Sequence, residues 1–223
     1  MAHEISVIAI DGPVAAGKTA VGRELARALG FGYLDTGIMY RAITWLALDH
    51  GIPVDDETSL GELARSYPLG LMGEDSNQVL VDGHTLGPEL RDSTVDRNVS
   101  IVSKAFSVRK ELVAQQRNTA AQGNIVMIGR DIGTVVLPDA DLKVYLTASP
   151  EKRAQRRWQE MQDRGEAVEL LTVLSETIAR DEIDSGRDGS PLKPADDAWE
   201  LNTDGLDIQQ VVQKIADRAG SPK

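Results

Sequence analysis

The chain has 223 residues, of which 41% are hydrophobic and 4% are aromatic. This length and apolar content suit one large domain, or one domain with an insert, and argue against disorder and fibrous repeats. The sequence contains 35 acidic and 24 basic residues, which gives a formal net charge of −11. Because neither a basic surface nor aromatic stacking side chains are abundant, we expect no nucleic-acid partner.

The chain contains no cysteine, which excludes disulfide scaffolds, thiolate zinc sites and cysteine nucleophiles. The N-terminus lacks a basic segment, and the apolar stretch at residues 5–10 meets Asp11. That stretch is far shorter than the ~20 residues that span a bilayer. We therefore expect a cytoplasmic protein with no membrane partner.

Apolar spacing in the first fifty residues predicts strands alternating with helices. A β-branched run at residues 5–10 predicts a first strand, and residues 20–29 have the spacing of a helix. Residues 33–35 then predict a second strand. Residues 39–48 predict a second helix that ends before a glycine and a proline.

Short strand candidates flanked by turn residues occupy the middle of the chain. Residues 69–72 and 78–81 have strand-like composition, and Asp82-Gly83 favours a hairpin into residues 85–86. We interpret about residues 67–90 as part of a small β-containing insert. Helical periodicity follows over residues 93–121.

Strands and helices alternate again in the second half. Apolar runs without polar interruption are typical of strands in the core of a parallel sheet. We expect strands at residues 125–128, 142–146 and 199–201, and helices after Ser149-Pro150, over residues 167–183 and from Ile208. This alternation predicts an α/β fold in which helices cover both faces of a parallel sheet.

Residues 12–19 match the phosphate-loop pattern G-x-x-x-x-G-K-[ST] in full, between a predicted strand and a predicted helix. Glycines let the backbone curl so that N–H groups point at phosphates, and the helix N-terminus adds its positive dipole end. Lys18 would reach the β- and γ-phosphates, and Thr19 would ligate Mg²⁺. The residues expected to bind ATP are Gly12, Pro13, Val14, Ala15, Ala16, Gly17, Lys18 and Thr19. A chance glycine turn is the alternative, and the strand and helix context argues against it.

The phosphate loop does not identify the group that receives the phosphate. GTPases read guanine with an Asn-Lys-x-Asp signature, and no lysine here follows an asparagine. A small-molecule kinase fits the chain length, with an acceptor held by further cations. Two alternatives stay open: a kinase for another acceptor, such as shikimate or a different nucleoside monophosphate, and a nucleotide-binding regulator without turnover.

Three further segments closely resemble the signature segments of the bacterial cytidylate (CMP/dCMP) kinases. They are residues 35–41, 129–136 and 180–187, and the resemblance spans nearly the whole chain. It implies a three-layer P-loop kinase fold with a central parallel five-stranded sheet, a small β-containing NMP-binding insert and a short lid. It also implies the boundaries: a core of residues 1–62 and 105–223, an insert at 63–104 and a lid at about 150–165.

The resemblance implies an enzyme that transfers the γ-phosphoryl group of ATP to CMP or dCMP with Mg²⁺, and we expect a monomer. Three groups of side chains would bind the phosphate, the base and the sugar of the acceptor. The phosphate would be held by Arg41, Arg130 and Arg187, the cytosine by Ser100, Arg109 and Asp131, and the sugar by Arg180 and Asp184, with Thr36 also in the acceptor site. Convergent guanidinium groups suit a dianionic phosphate.

Catalysis would rest, by the same resemblance, on Lys18, Arg130, Arg153 and Arg157. Arg153 and Arg157 match the lid arginines that close over the ATP phosphates. Their spacing by itself shows only that they share a helix face, so a solvated basic face is the alternative.

The chain departs from the family pattern at three positions. Ile128 stands where members usually carry an acidic residue, which puts any role of that position toward Mg²⁺ in doubt. In the phosphate loop, Val14 has no hydroxyl to donate to the acceptor phosphate. Ala15 replaces a more usual glycine and narrows the conformations open to the loop.

Overall fold

The computed structural model describes residues 5–72, 78–186 and 190–220. The chain divides into two compact units: a first unit of Met1–Phe31 with Asn124–Lys223, and a second unit of Gly32–Gly123. None of the described helices is long and apolar enough to cross a lipid bilayer.

Eight strands and eight α-helices make up the described chain. In order they are β1 (Val7–Asp11), α1 (Lys18–Leu29), β2 (Gly32–Asp35), α2 (Thr36–Asp49), α3 (Glu57–Ser66), β3 (Gly70–Met72), β4 (Gln78–Val81), β5 (His84–Leu86), α4 (Ser93–Val102), α5 (Phe106–Ala120), β6 (Ile125–Ile128), β7 (Leu142–Thr147), α6 (Pro150–Asp163), α7 (Leu170–Ser185), β8 (Trp199–Asn202) and α8 (Ile208–Gly220). A 3₁₀ turn spans Pro88–Arg91 and a π-helical turn spans Ile132–Val136.

The main sheet has five strands in the order β2-β6-β1-β7-β8. In β1, Ile8 lies opposite Val126 of β6 and Leu142 of β7, and both pairings are parallel. β8 continues the sheet in parallel beside β7. Every residue of β6 is buried, as expected for a strand covered on both faces. The predicted α/β fold with a five-stranded sheet is confirmed.

Helices of the first unit bury apolar faces, and α1 ends where the sequence predicts, whereas the helix predicted over residues 167–183 is α7, Leu170–Ser185. Gly30 ends α1 in the left-handed conformation with a φ of 68°. α8 packs against α1 and buries Val211 and Ile215. The predicted start of α6 is confirmed, because Ser149 caps the helix by accepting from the Lys152 N–H.

The second unit contains a three-stranded antiparallel sheet in the order β3-β4-β5. Asp82 and Gly83 connect β4 to β5 with φ values of 47° and 74°, so the predicted hairpin is confirmed with both turn residues left-handed. Helices α2, α3 and α5 pack on one another. The boundaries of the predicted insert, residues 63–104, stay a prediction.

The number of helices in the second unit differs from the prediction in two places, and α2 begins three residues earlier than predicted. The helix expected over residues 93–121 is two helices, because the backbone of Ala105 between α4 and α5 is not helical, with a ψ of 115°. Both helices bury apolar residues, so the periodicity continues across the break. Helix α3 was not predicted, although Leu60 and Leu63 have helical spacing and Asp56 caps its start.

Candidate active site

The phosphate loop connects β1 to α1 and depends on glycine at both ends. Gly12 has a φ of 148°, and a Cβ at this position would lie 2.2 Å from the Leu146 carbonyl oxygen. Gly17, with a φ of 95°, is the cap residue of α1. Because this cap is a glycine, no cap side chain competes with a phosphate for the N–H groups of the first turn.

Ala15 lies in the left-handed region with a φ of 57°. A residue with a Cβ is disfavoured there by about 1–2 kcal/mol, whereas glycine is not. Ala15 was expected to restrict the conformations open to the loop, and the structure shows this restriction as backbone strain at Ala15. Its neighbour Val14 contributes its carbonyl oxygen, which accepts from Nη1 of Arg153 at 3.2 Å.

Lys18 lies over the loop that it follows. Its side chain is only 7% exposed. Nζ donates to the carbonyl oxygens of Gly12 at 2.8 Å and of Pro13 at 2.6 Å. Thr19 is the next residue, in the first turn of α1. The ammonium group is thus held against the segment of backbone that curls around a phosphate in this motif.

Asp11, the last residue of β1, bonds to the turn that follows β6. Its two carboxylate oxygens accept from the N–H groups of Ile132 and Gly133, both at 2.7 Å. Burial raises the pKa of Asp11 to about 6, and the charge of Asp131 adds to the rise. The two N–H donors and Lys18 oppose it. The carboxylate therefore connects the start of the phosphate loop to the Gly-Arg-Asp turn.

Arg130 and Asp131 lie in that turn, at the carboxyl end of β6. Nε of Arg130 donates to Oδ2 of Asp184 at 2.9 Å, and the Asp184 side chain is 1% exposed. Asp131 is also buried. Arg180 lies four residues before Asp184 on α7, so both residues share one helix face. The structure thus brings Arg130 and Asp184 into direct contact.

Arg153 of α6 is buried, with 3% of its side chain exposed. It donates to the carbonyl oxygens of Ala148 and Val14. Two further hydrogen bonds join its guanidinium to both oxygens of Asp181. Arg153 is therefore not part of a solvated basic face, while Arg157, one turn further along α6, is half-buried.

Arg41 and Thr36 lie on α2 in the second unit. Arg41 donates from Nη1 to the Leu90 carbonyl oxygen at 2.9 Å and lies 2.6 Å from an oxygen of Asp96. Thr36 is buried at the first position of the helix. Asp35 caps this helix by accepting from a backbone N–H. The local structure thus fixes the start of α2, five residues before Arg41.

Arg109 and Ser100 come from the two helices that follow the three-stranded sheet. Nη1 of Arg109 donates to the Tyr40 hydroxyl at 3.3 Å, and its guanidinium carbon lies 5.8 Å from the centre of the Tyr40 ring. Ser100 is buried on α4. The predicted site residue Arg187 lies outside the described residues.

Two sets of predicted site residues result, one in each unit. The first unit holds Lys18, Thr19, Arg130, Asp131, Arg153, Arg157, Arg180 and Asp184, and the second holds Thr36, Arg41, Ser100 and Arg109. Within the first unit, direct hydrogen bonds join the phosphate loop to Arg153 and join Arg130 to Asp184.

Comparison with known proteins identifies the family. The family model of cytidylate kinase matches residues 8–221. The chain belongs to the cytidylate kinase family. The cytidylate kinase of Desulfitobacterium hafniense (strain Y51) is 47% identical over 208 residues, which cover 93% of this chain and 90% of that protein. The cytidylate kinase of Bacillus pumilus (strain SAFR-032) is 46% identical over 213 residues, which cover 95% of each.

Solved structures of other kinases share the fold at low sequence identity. A shikimate kinase from Bacteroides thetaiotaomicron has a TM-score of 0.50 and 14% identity, covering 96% of this chain and 97% of its own. A gluconokinase from Sinorhizobium meliloti 1021 has a TM-score of 0.51 and 12% identity, covering 97% and 93%. These likenesses concern the fold alone.

This cytidylate kinase family member offers few protein ligands for a metal ion. Across the described ranges, no group of three or more His, Asp or Glu side chains could hold one. Ile128, at the position where the family usually has an acid, is apolar and 1% exposed, so it cannot bind a cation. Thr19, in the first turn of α1, stays the predicted protein ligand for Mg²⁺.

The contacts of Asp11, Asp181 and Tyr145 were not predicted from the sequence. From the sequence, Asp11 was noted only as the residue that ends the first apolar stretch, and Asp181 only as part of the segment 180–187. An acidic residue closing a buried apolar strand, directly before a glycine loop, is the signal that singles out Asp11. Tyr145 lies beside Asp11 in the register of β1 and β7. Burial raises its pKa to about 12, with Asp11 and Asp181 adding to the rise, so its hydroxyl stays protonated.

Proposed function

We propose that this member of the cytidylate kinase family transfers the γ-phosphoryl group of ATP to CMP or dCMP and releases ADP and CDP or dCDP. The observation that carries the proposal is a complete phosphate loop, with its lysine in place, in one unit with the Arg130–Asp184 pair. Membership of the cytidylate kinase family favours CMP or dCMP over the other acceptors that the phosphate loop alone leaves open.

No general base is needed, because the phosphate of CMP is already an anionic nucleophile. Catalysis then consists of positioning the two phosphates and neutralising the charge that develops between them. Lys18 would exchange its two loop carbonyl partners for β- and γ-phosphate oxygens of ATP. Its low exposure supports this role, since an ammonium group acts more strongly where water is scarce.

Arg41, Arg130 and Arg187 would hold the acceptor phosphate. Asp184 accepts from Nε of Arg130. The terminal Nη1 and Nη2 atoms of Arg130 can therefore form the bidentate fork that phosphate oxygens favour. In the second unit, the Leu90 carbonyl and Asp96 hold Arg41. Both arginines are thus oriented by protein groups before any substrate binds.

Ser100, Arg109 and Asp131 would read the cytosine base. Cytosine presents an amine donor at C4, which matches the acceptor-only carboxylate of Asp131, and acceptors at O2 and N3, which match Arg109. Tyr40 supports the base-reading role of Arg109 by holding its guanidinium. Thr36, Arg180 and Asp184 would complete the acceptor site, the last two at the sugar.

Arg153 and Arg157 would act on the ATP phosphates from α6. The hydrogen bond from Arg153 to the Val14 carbonyl supports this, because it ties the arginine to the phosphate loop itself. Thr19 would hold Mg²⁺ together with the nucleotide. When bound, Mg²⁺ would bridge phosphate oxygens and neutralise part of the developing charge.

We further propose that residues 63–104 are the NMP-binding insert of a core formed by residues 1–62 and 105–223. The antiparallel sheet β3-β4-β5 and helix α4 fall within these bounds. Residues 150–165, mainly α6, would form the lid. A monomer in the cytoplasm is the working form that we expect, and the lack of cysteine suits that compartment.

The test is acceptor-dependent ADP formation by the purified protein with ATP and Mg²⁺. CMP and dCMP should support turnover, while UMP should do so weakly and shikimate not at all. Binding of ATP without CDP formation would indicate a regulator instead of a kinase. Faster turnover with another acceptor would indicate a kinase of different specificity.

A further inference from the structure

A short helical turn begins directly after the base-reading residue. The π-helical turn Ile132–Val136 starts one residue after Asp131. Its first two N–H groups belong to Ile132 and Gly133, and both donate to Asp11 at 2.7 Å. An anion that accepts from the N–H groups at the start of a helical turn fixes that turn and the residue before it.

Two observations make Asp11 the anchor of this turn, and a third shows that the turn is also attached to the sheet. Asp11 is only 4% exposed, so solvent has little access to its two hydrogen bonds. Each oxygen accepts from a different residue, which fixes the direction of the turn as well as its position. The turn is attached to the sheet a second time, because the Gly129 N–H donates to the Ile10 carbonyl oxygen at 3.0 Å.

We propose that Asp11 is a positioning residue for nucleobase selection, which acts by holding the turn that presents Asp131 to the base of the acceptor. This inference rests on the proposed function, since Asp131 reads cytosine only if CMP is the acceptor. Asp11 itself touches neither substrate in this proposal. Its carboxylate fixes the backbone of Ile132 and Gly133, and that backbone fixes Asp131.

Only the ionised form of Asp11 can hold the turn through both N–H groups. A carboxylate accepts at both oxygens, whereas the protonated acid presents a hydroxyl donor toward one of the two N–H groups. The charged and titratable groups that face Asp11 are Lys18 of α1, Asp131 of the turn and Tyr145 of β7. Burial raises the pKa of Asp11 to about 6, which places its titration within the range of an enzyme assay.

The experiment measures the ratio of kcat/KM for CMP to that for UMP between pH 5.5 and 8. Both nucleotides carry the same phosphate, so its own titration cancels in the ratio. For the unmodified protein, the ratio should fall about threefold to tenfold as the pH is lowered through about 6, because the hydrogen bond between the Asp131 carboxylate and the cytosine amine is weakened but not lost. For Asp11→Asn, the ratio should be low and independent of pH.

Asp141→Asn is the matched control. Asp141 also accepts two N–H groups of the strand region, from Ser6 and Val7, both at 2.9 Å, at the opposite end of β1. The same chemical change there should leave the ratio and its pH dependence as in the unmodified protein. A double variant, Asp11→Asn with Asp131→Asn, should have the same ratio as Asp131→Asn alone, because Asp11 acts through Asp131.

A ratio that stays constant with pH in the unmodified protein overturns the proposal. This measurement uses only the unmodified protein, so it does not depend on whether a variant folds. A pH midpoint that persists in Asp11→Asn overturns it too, because a group other than Asp11 then causes the change. If Asp11→Asn and Asp141→Asn lower the ratio of kcat/KM equally, the cause is general destabilisation, and the proposal is overturned. If the unmodified protein phosphorylates neither CMP nor UMP, the proposed function fails, and that result is distinct from turnover with an unresponsive ratio.

Discussion

Arg130 and Asp184 form an ion pair with 2.9 Å between Nε and Oδ2, and only 1% of the Asp184 side chain is exposed. The pair joins the end of β6 to α7, so a residue assigned to the sugar of the acceptor also orients the arginine assigned to its phosphate. If both assignments are correct, the carboxylate of Asp184 would contact the sugar of the acceptor and also orient the arginine that holds its phosphate.

Asp184→Ala should raise the KM for CMP and leave the KM for ATP nearly unchanged. It should also lower the free energy of unfolding by about 1–3 kcal/mol, because Arg130 loses its acceptor. Asp184→Asn keeps one acceptor oxygen and should lose less stability. Steady-state kinetics with each substrate varied, and urea unfolding, measure these effects. A change in the KM for ATP alone would show that the assignment is wrong.

Lys18→Ala should lower kcat by orders of magnitude with the fold retained. In the proposed role, the ammonium group would stabilise the negative charge that develops on the transferring phosphoryl group, and water could not replace it. Exposed Lys214 of α8 provides the control, since Lys214→Ala removes the same charge outside the site. Circular dichroism checks the fold of both variants. Normal turnover of folded Lys18→Ala would remove the phosphate loop from the mechanism.

Asp131→Asn should narrow the preference for CMP over UMP. In the proposed role, the Asp131 carboxylate would accept from the cytosine amine and repel the uracil carbonyl, whereas a flipped amide could donate to that carbonyl. A hydrogen bond to a charged group contributes about 1.5–3 kcal/mol, which corresponds to roughly a tenfold to hundredfold preference. The ratio of kcat/KM for CMP to that for UMP measures this preference. An unchanged ratio would make the role of Asp131 in its turn purely structural.

Asp181→Ala should raise the KM for ATP and destabilise the fold by about 1.5–3 kcal/mol, because buried Arg153 loses two charge-assisted hydrogen bonds. Glu166→Ala is the control. It breaks the Arg164–Glu166 pair of 2.8 Å, whose side chains are 41% and 45% exposed. Exposed pairs contribute little, so this control should change stability by less than about 1 kcal/mol. Equal losses in the two variants would contradict a structural role for the Arg153–Asp181 pair.

The stability of the protein should depend on the ionisation of Asp11. Its pKa is raised from 3.8 to about 6, so folding favours the protonated form. The stabilisation that the protonated Asp11 carboxyl group gives the fold is complete below about pH 4. It is lost as the pH rises to about 6, which lowers the free energy of unfolding by about 3 kcal/mol. Asp11→Asn cannot ionise, so its stability relative to the parent should increase over the same interval. Urea unfolding at several pH values would contradict this if the difference stayed constant.

Local sequence determined most of the elements and the phosphate loop. Strands β1, β6 and β7 are apolar runs bounded by polar or turn residues, and the loop follows from the types and spacing of Gly12, Gly17 and Lys18. Each of these features is set by neighbours close along the chain. The hairpin at Asp82-Gly83 was predictable for the same reason, since two adjacent left-handed residues determine a turn.

Only the tertiary structure decided which charged residues contact one another. Asp11 and Gly133 are 122 positions apart, and Arg130 and Asp184 are 54 apart. No local pattern pairs such residues, because the order of strands in a sheet brings them together. The break between α4 and α5 also required the structure, because helical periodicity continues on both sides of it. Burial of Arg153 likewise depends on packing against α7, whereas its position on α6 could be derived from spacing alone.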